Sequence, residues 1–330
     1  MPDGERIRDI GEDALVSAVI TRYGSLPAHV RVGPGDDAAV LDVPGPVVVS
    51  TDTLVEGYDF RREWSTARQV GIKTAAQNLA DVAAMGARPL ALLVSLAAPG
   101  DLPSRWAGDL AEGLDEECRR AGACVVGGDL SQATEIVITG SAVGVLSGPP
   151  VLRSGARPGD VVALAGDTGA SAAGLALLDA GVPTAGDSVL AELVRAHLAP
   201  RPPYPAGPTA AAAGAHAMID TSDGLLRDAG RIAASSRVSI DLDPQALAPG
   251  ESLQRAATVL RAAHAGMAWV LSGGEDHALL ACFAADAALP AGFRPIGRVL
   301  AADDGGEPPA RLLVGGRPWT GGTGWTHFTG

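Results

Sequence analysis

The chain almost lacks lysine: its 25 basic residues are 24 arginines and Lys73, set against 38 acids, for a formal net charge of −13 over 330 residues. No Lys/Arg-rich run interrupts that acidity, so the electrostatic footprint of a protein that grips a nucleic-acid backbone is missing. Aromatics are scarce at 4%, while 47% of the residues are hydrophobic and 43 are glycine. A core poor in rings and rich in small and aliphatic side chains favours closely packed α/β layers. Cysteine is limited to Cys118, Cys124 and Cys282, an odd number without CxxC spacing, each inside an apolar stretch. That excludes a disulfide framework and predicts buried thiols of a reducing compartment. No apolar run reaches the roughly 18 residues of a membrane span, and the opening MPDGERIRDIGEDAL carries acids without an apolar h-region. The expected location is therefore cytoplasmic, with neither membrane nor nucleic acid as a partner.

A chain of this length exceeds what one hydrophobic core usually organises, which predicts two domains. Gly148-Pro149-Pro150 breaks the pattern of elements before a new strand in DVVALAG, placing an N-terminal domain at 1–149 and a C-terminal domain at 150–330. In the first domain, AAVLDV and PVVVSTD flank Pro44-Gly45-Pro46 and read as a hairpin. Val70, Leu79, Val82, Ala83 and Met85 recur at helical spacing, predicting a helix over 66–85 that stops at Gly86. The strand LALLVSLAA, a helix over 103–121 and the strands CVVGGDL and EIVITGSAVGVL follow. The first domain reads ββαβαββ, the second as alternating strands and helices, and the whole as an α/β, or layered α+β, fold.

Chemistry concentrates in Asp-containing turns at strand ends: GDDAAV (35–40), STD (50–52), GGD (127–129) and DTSDG (220–224). Singly, each is an ordinary turn or N-cap, because Asp and Gly form turns readily. Several such turns together suit hard Mg²⁺, which takes one or two carboxylates and bridges them to substrate phosphates. Asp81 lies on the 66–85 helix, where Lys73, Gln77 and Asp81 share a polar face predicted to point away from the apolar stripe. DTSDG also opens a helix, LLRDAGRIAASS, which Ser222 could cap. GDTGASAAG reads equally as a phosphate cradle and as a tight strand-to-helix turn, and lacks the Lys-Ser/Thr of Walker A. In GGEDH a strand is expected to put Glu275 and His277 on one face with Asp276 opposite, which makes His277 a structural residue.

Read in order, GDDAAV, STDTLVEGYDF, NLADVAAMGA, GGDLSQ, RSGARPGD, DTSDGL and LSGGEDHAL resemble the thiamine-monophosphate kinases, of the superfamily that includes aminoimidazole ribonucleotide synthetase. The resemblance runs almost end to end. It implies that superfamily's two-domain fold, a homodimer built through the N-terminal domains, ATP with several Mg²⁺, and phosphorylation of thiamine monophosphate to thiamine diphosphate. It makes Asp37, Ser50, Thr51, Asp52, Asp81, Asp129, Asp220 and Asp223 metal-site residues. Gly128, Asp129, Arg153 and Ser222 would contact ATP, and Asp59, Glu275 and Trp325 the thiamine substrate. Asp59 stands where the family commonly has His, a departure that bears on the substrate contact and not on the metal site.

The implied reaction needs no general base, because a phosphomonoester with a second pKa of about 6 is largely ionised at neutral pH. Catalysis would consist of positioning and charge neutralisation. Trp325, in GWTHF, could stack on the cationic thiazolium or pack as a terminal core aromatic. Other ATP-using enzymes of the superfamily, such as selenophosphate synthetase or a hydrogenase-maturation enzyme, lead one to expect a reactive Cys or selenocysteine near the N-terminus or a C-terminal Cys, which this chain lacks. The alternative of another class is a non-catalytic nucleotide- or metal-binding module.

Overall fold

The computed structural model describes residues 5–302, 312–319 and 321–325. Contacts divide the chain into two compact units, Met1–Val82 with Ala87–Ser147, and Ala83–Gly86 with Gly148–Gly330.

The first unit runs α1 (Ile7–Ile10), α2 (Glu12–Ile20), β1 (Val30–Val32), β2 (Val40–Leu41), β3 (Val47–Val55), α3 (Ala67–Ala84), β4 (Arg88–Ala98), α4 (Ser104–Ala121), β5 (Cys124–Gln132) and β6 (Val137–Val145). Its main sheet has the order β3-β6-β4-β5, parallel only between β4 and β5. The expected hairpin across Pro44-Gly45-Pro46 does not form. Instead β2 pairs with β1 in a separate ribbon, and β3 pairs along its whole length with β6. Pro44 and Pro46 have no N–H to offer a ladder, and the Pro46 carbonyl accepts from Leu146 N at 3.0 Å, steering the chain onto β6.

Helix α3 starts in a reciprocal cap: Thr66 N donates to Gln69 Oε1 at 2.9 Å and Gln69 N to Thr66 Oγ1 at 3.3 Å. Gly86, at φ 79°, follows its C-terminus. One side of α3 lies on the sheet, where Gly140 and Gly144 of β6 leave room for Asn78 and Val82. Another side meets α4 through Gly71 and Gly113, each so close to the facing backbone carbonyl that a Cβ would overlap it. Contact on two sides encloses the first residue of the polar face, while Gln77 and Asp81 stay half-buried. Lys73 is only 2% exposed, and its Nζ donates to the Asp59 carbonyl at 2.8 Å. Gly113→Ala should cost about 1–3 kcal/mol by overpacking, read as a lower midpoint of thermal unfolding.

The second unit holds β7 (Val161–Ala165), α5 (Ala170–Asp179), α6 (Ser188–Leu198), α7 (Ala206–Ala212), β8 (Ala217–Asp220), α8 (Leu225–Ser236), β9 (Val238–Leu242), α9 (Glu251–Val259), α10 (Ala265–Ser272), β10 (Leu279–Phe283), β11 (Phe293–Ala301), β12 (Leu312–Val314) and β13 (Arg317–Pro318). Its sheet has the order β13-β12-β9-β11-β7-β10-β8 and is antiparallel except between β12 and β9. Val162, Leu164, Leu177, Leu225, Ile232 and Leu280 belong to one fully buried core that fixes α5 and α8 to the sheet. Each such side chain contributes about 1.5–3 kcal/mol.

All three cysteines are free and buried, and burial pushes the thiols up, Cys124 to about 11 and Cys282 to about 12. Protonated and enclosed, they are packing groups, as their apolar surroundings predicted. Among the described residues no helix is long and apolar enough to cross a membrane.

Candidate active site

In the first unit the predicted acids form two groups. Alternation along β3 turns Ser50 and Asp52 towards α3. There the Ser50 hydroxyl donates to Asp81 Oδ2 at 2.6 Å, and the Asp52 N–H donates to Asn78 Oδ1 at 2.9 Å. The same alternation sends Thr51 to the opposite face, where its hydroxyl donates to the Gly140 carbonyl at 2.7 Å. Ser50 and Thr51 therefore do not present their hydroxyls to one ion.

Asp129 belongs to the second group. In register it pairs with Ser95, Ser95 with Thr139, and Thr139 with Thr53, a row on the sheet face opposite Asp52. Gly128 sits so close to the Val94 carbonyl that a Cβ would overlap it, which explains glycine at that point of β5. Gly128 and Asp129 line a cavity of about 520 Å³ with Asp36 and Asp37, against apolar Ile20, Leu96 and Leu110. Both Asp37 and Asp129 are exposed, the latter accepting from Ser131 Oγ at 2.9 Å.

Asp59 is half-buried, and its carboxylate closes its own turn by accepting from Val55 N at 2.8 Å.

In the second unit the DTSDG turn is a centre of convergence. The Ser222 carbonyl accepts from Glu275 N at 2.7 Å, and the Asp223 carbonyl from Trp325 N at 2.9 Å. Two loops distant in sequence are thus tied to consecutive residues of one turn. Trp325 is 58% exposed and so does not pack as a core aromatic. The residues after it lie outside the described residues.

Asp220, buried at the end of β8, contacts His277 Nδ1 at 3.2 Å, while Asp223 pairs with Arg231 and lies 3.4 Å from Arg227 Nε. Ser222 does not cap α8. The N-cap is Gly224 at φ 120°, and the Asp228 carboxylate accepts the Asp223 N–H at 3.1 Å. Fully buried Asp228 is pushed up to about 7 by burial and by neighbouring Asp220, against the pull of Arg231. Arg153 is exposed, and its carbonyl accepts from Ser236 Oγ at 2.8 Å at the far end of α8. That end lies about 18 Å along the axis from the DTSDG turn, so Arg153 and Ser222 do not share one contact point.

The GDTGASAAG loop resolves as a strand-to-helix turn. Asp276 occupies the α5 N-terminus, accepting from Gly169 N at 2.6 Å and Ser171 N at 2.8 Å. Burial pushes its carboxyl up to about 7, against the pull of these two donors. The expected strand at GGEDH begins only at Leu279, because Glu275 and His277 adopt left-handed φ of 65° and 52°. Glu275 and His277 consequently reach separate partners, His197 and Asp220.

Two family models match the chain: AIR synthase related protein, N-terminal domain, over residues 35–146, and AIR synthase related protein, C-terminal domain, over 157–307. A thiamine-monophosphate kinase of Mycobacterium tuberculosis is 49% identical over 325 residues, 98% of this chain and 93% of that protein. The chain belongs to the thiamine-monophosphate kinase family. The family member of Corynebacterium glutamicum is 42% identical, covering 90% of this chain and 88% of its own length. Among solved structures, AaThiL complexed with AMPPCP and TMP aligns over 99% of this chain and all of its own, with a TM-score of 0.78 and 28% identity. The fold is thus that of the thiamine-monophosphate kinases.

Against that family's expected site, the second unit gathers Asp220, Ser222, Asp223, Glu275 and Trp325, and the first unit gathers Ser50, Asp52 and Asp81 in one group and Asp37, Gly128 and Asp129 in another. Among the described residues no three acids, imidazoles or thiols form a metal cage. The donors present fit Mg²⁺ even so: carboxylate and hydroxyl oxygens in ones and twos, as an ion that completes its shell with phosphates and water requires. Sequence reasoning missed Asp228, Arg231 and His197. Asp228 was accessible, because it falls at helical spacing among Leu225, Ala229 and Ile232 on the buried face of α8. The partners of Arg231 and His197 depend on tertiary contacts and left no local signal.

Proposed function

We propose that this chain transfers the terminal phosphoryl group of ATP to the phosphate of thiamine monophosphate, releasing ADP and thiamine diphosphate. The observation that carries the reading is the DTSDG turn, whose consecutive carbonyls hold the Glu275 and Trp325 segments beside Asp220 and Asp223. The relative described as complexed with AMPPCP and TMP supports the choice of substrates.

In this reaction the bond between the γ-phosphorus and the β–γ bridging oxygen breaks, and an acceptor phosphate oxygen forms the new one. That oxygen is already ionised, so no side chain removes a proton. Two anions must instead be brought into line. Mg²⁺, when bound, supplies charge neutralisation between the phosphates. We assign Asp37, Ser50, Thr51, Asp52, Asp81 and Asp129 of the first unit, and Asp220 and Asp223 of the second, to hold several such ions, Thr51 through main-chain rather than hydroxyl oxygen. Gly128, on the wall of the cavity of about 520 Å³, is assigned to the nucleotide, and exposed Arg153 offers it a guanidinium. Exposed Trp325 presents a ring face to the thiazolium, an attraction of about 0.5–2 kcal/mol.

The sheet face opposite α3 carries exposed Val47 and Val49, with Thr51 and Thr53 beside them. We assign this face to a homodimer contact, and the enzyme with its buried reduced thiols to the cytoplasm. Incubation with MgATP and thiamine monophosphate should yield thiamine diphosphate, read by fluorescence after oxidation, with one ADP per product. ATP binding without product would instead indicate a non-catalytic module.

Asp59 separates two roles in one test. Asp59→Asn keeps an oxygen for Val55 N–H but removes the charge. The unfolding midpoint should hold while KM for thiamine monophosphate rises about fivefold, equivalent to roughly 1 kcal/mol. An unchanged KM would leave Asp59 with its turn alone.

A further inference from the structure

We propose that His197 is a positioning residue for the phosphate acceptor, acting through Glu275. The inference rests on the assignment of Glu275 to the thiamine substrate. His197 stands in the last turn of α6, a helix fixed at its other end by Asp187, which accepts from Val189 N and Leu190 N at 3.2 Å. Its Nδ1 lies 3.2 Å from Glu275 Oε2 and 3.1 Å from Ser171 Oγ. An ionised carboxylate only accepts, so the ring nitrogen facing it carries the proton and donates. Ser171, at the start of α5 and 1% exposed, stands against the same nitrogen, so its hydroxyl oxygen shares that N–H with Glu275.

The arrangement orients more than it seals. The His197 side chain is 8% exposed and that of Glu275 33%, so the imidazole is enclosed while the carboxylate it grips remains open. A pair whose only task was packing would bury both ends. The main chain of Glu275 is fixed through Ser222, and the contact with His197 acts on its side chain. Glutamate has several rotamers to lose, and a ligand-facing carboxylate is effective only when one of them is selected beforehand. In this enzyme α5 and α6 therefore supply a rigid bracket for an acceptor contact carried on a loop.

His197→Phe keeps a ring of similar size and removes both nitrogens. We expect KM for thiamine monophosphate to rise about tenfold, as losses of orienting partners commonly do, with KM for ATP unchanged. His197→Asn, which returns an amide donor near the Nδ1 position, should recover most of the loss. In a Glu275→Gln background the Phe substitution should add nothing further. Ser171→Ala, which leaves the helix intact, should raise the same constant by less and serves if the Phe variant does not fold. A raised KM in Glu275→Gln, with no change in either the His197 or the Ser171 variant, overturns the positioning role. Equal rises in both Michaelis constants overturn it as well, by indicating general structural damage. An unchanged acceptor KM in Glu275→Gln overturns the substrate assignment beneath it.

Discussion

Asp129→Asn should lower kcat/KM about 100-fold or more, the scale seen when one group that stabilises transition-state charge is removed, while leaving the folded protein intact. Asp129 is exposed on β5, and its oxygen accepts from Ser131 Oγ at 2.9 Å, a bond that asparagine can keep. Substitutions at such surface positions change stability by no more than about 0.5 kcal/mol. The lost charge is therefore isolated from the fold. Asp129 lines one cavity with Asp36 and Asp37, where its charge would help to draw in a Mg²⁺ that completes its shell with phosphates and water. Initial rates across a Mg²⁺ series, together with thermal unfolding, check the expectation: the variant should need more Mg²⁺ to reach half its maximal rate, at an unchanged unfolding midpoint. Parental kinetics would remove Asp129 from the metal and nucleotide site.

Asp276→Ala should produce the largest loss of stability. The carboxylate, half-buried on the GGEDH loop, accepts the N–H groups of buried Gly169 and Ser171. Without it two enclosed donors lose their acceptor, at about 1–3 kcal/mol each, and the unfolding midpoint should fall by several degrees. The penalty should depend on pH. Burial holds the folded carboxyl at about 7, above its ordinary value of 3.8. Between these values the folded state keeps a proton that the unfolded chain has released. The contribution is therefore fully present below pH 4 and lost as pH rises through 7, by up to about 1.4 kcal/mol per pH unit. Denaturant titrations of parent and variant should differ more at pH 5 than at pH 8. A difference that grows with pH would mean that the two donors outweigh burial and that the carboxylate is ionised in the folded protein.

The long elements were legible because their information is local. Helix α3 announces itself by helical spacing and a glycine stop, α8 begins and ends where LLRDAGRIAASS does, and the apolar setting of the cysteines foretold buried thiols. The errors arose where pairing partners are remote. The two β-runs around Pro44-Gly45-Pro46 have the composition of a hairpin, yet β3 finds a nine-residue partner in β6, far along the chain. Lys73, Gln77 and Asp81 do share a helical face, but periodicity cannot report that glycines at positions 71, 113, 140 and 144 let a helix and a sheet approach close enough to enclose Lys73. Left-handed turns at Glu275 and His277 replaced the expected strand, because a single such residue reverses the side-chain alternation on which the expectation relied.

The sequence by itself determined the family and the class of chemistry and nominated the acids, since motif order and residue type are written along one dimension. Tertiary structure alone decided which of them meet. It turned Thr51 away from Ser50, set Asp129 on the opposite sheet face from Asp52, and placed Arg153 at the far end of α8 from Ser222. It also recruited His197, Asp228 and Asp276 as partners of the loops that carry the candidate site. The physical reason is that alternation and helical spacing assign faces within an element. Only the packing of one element against another determines what each face encounters.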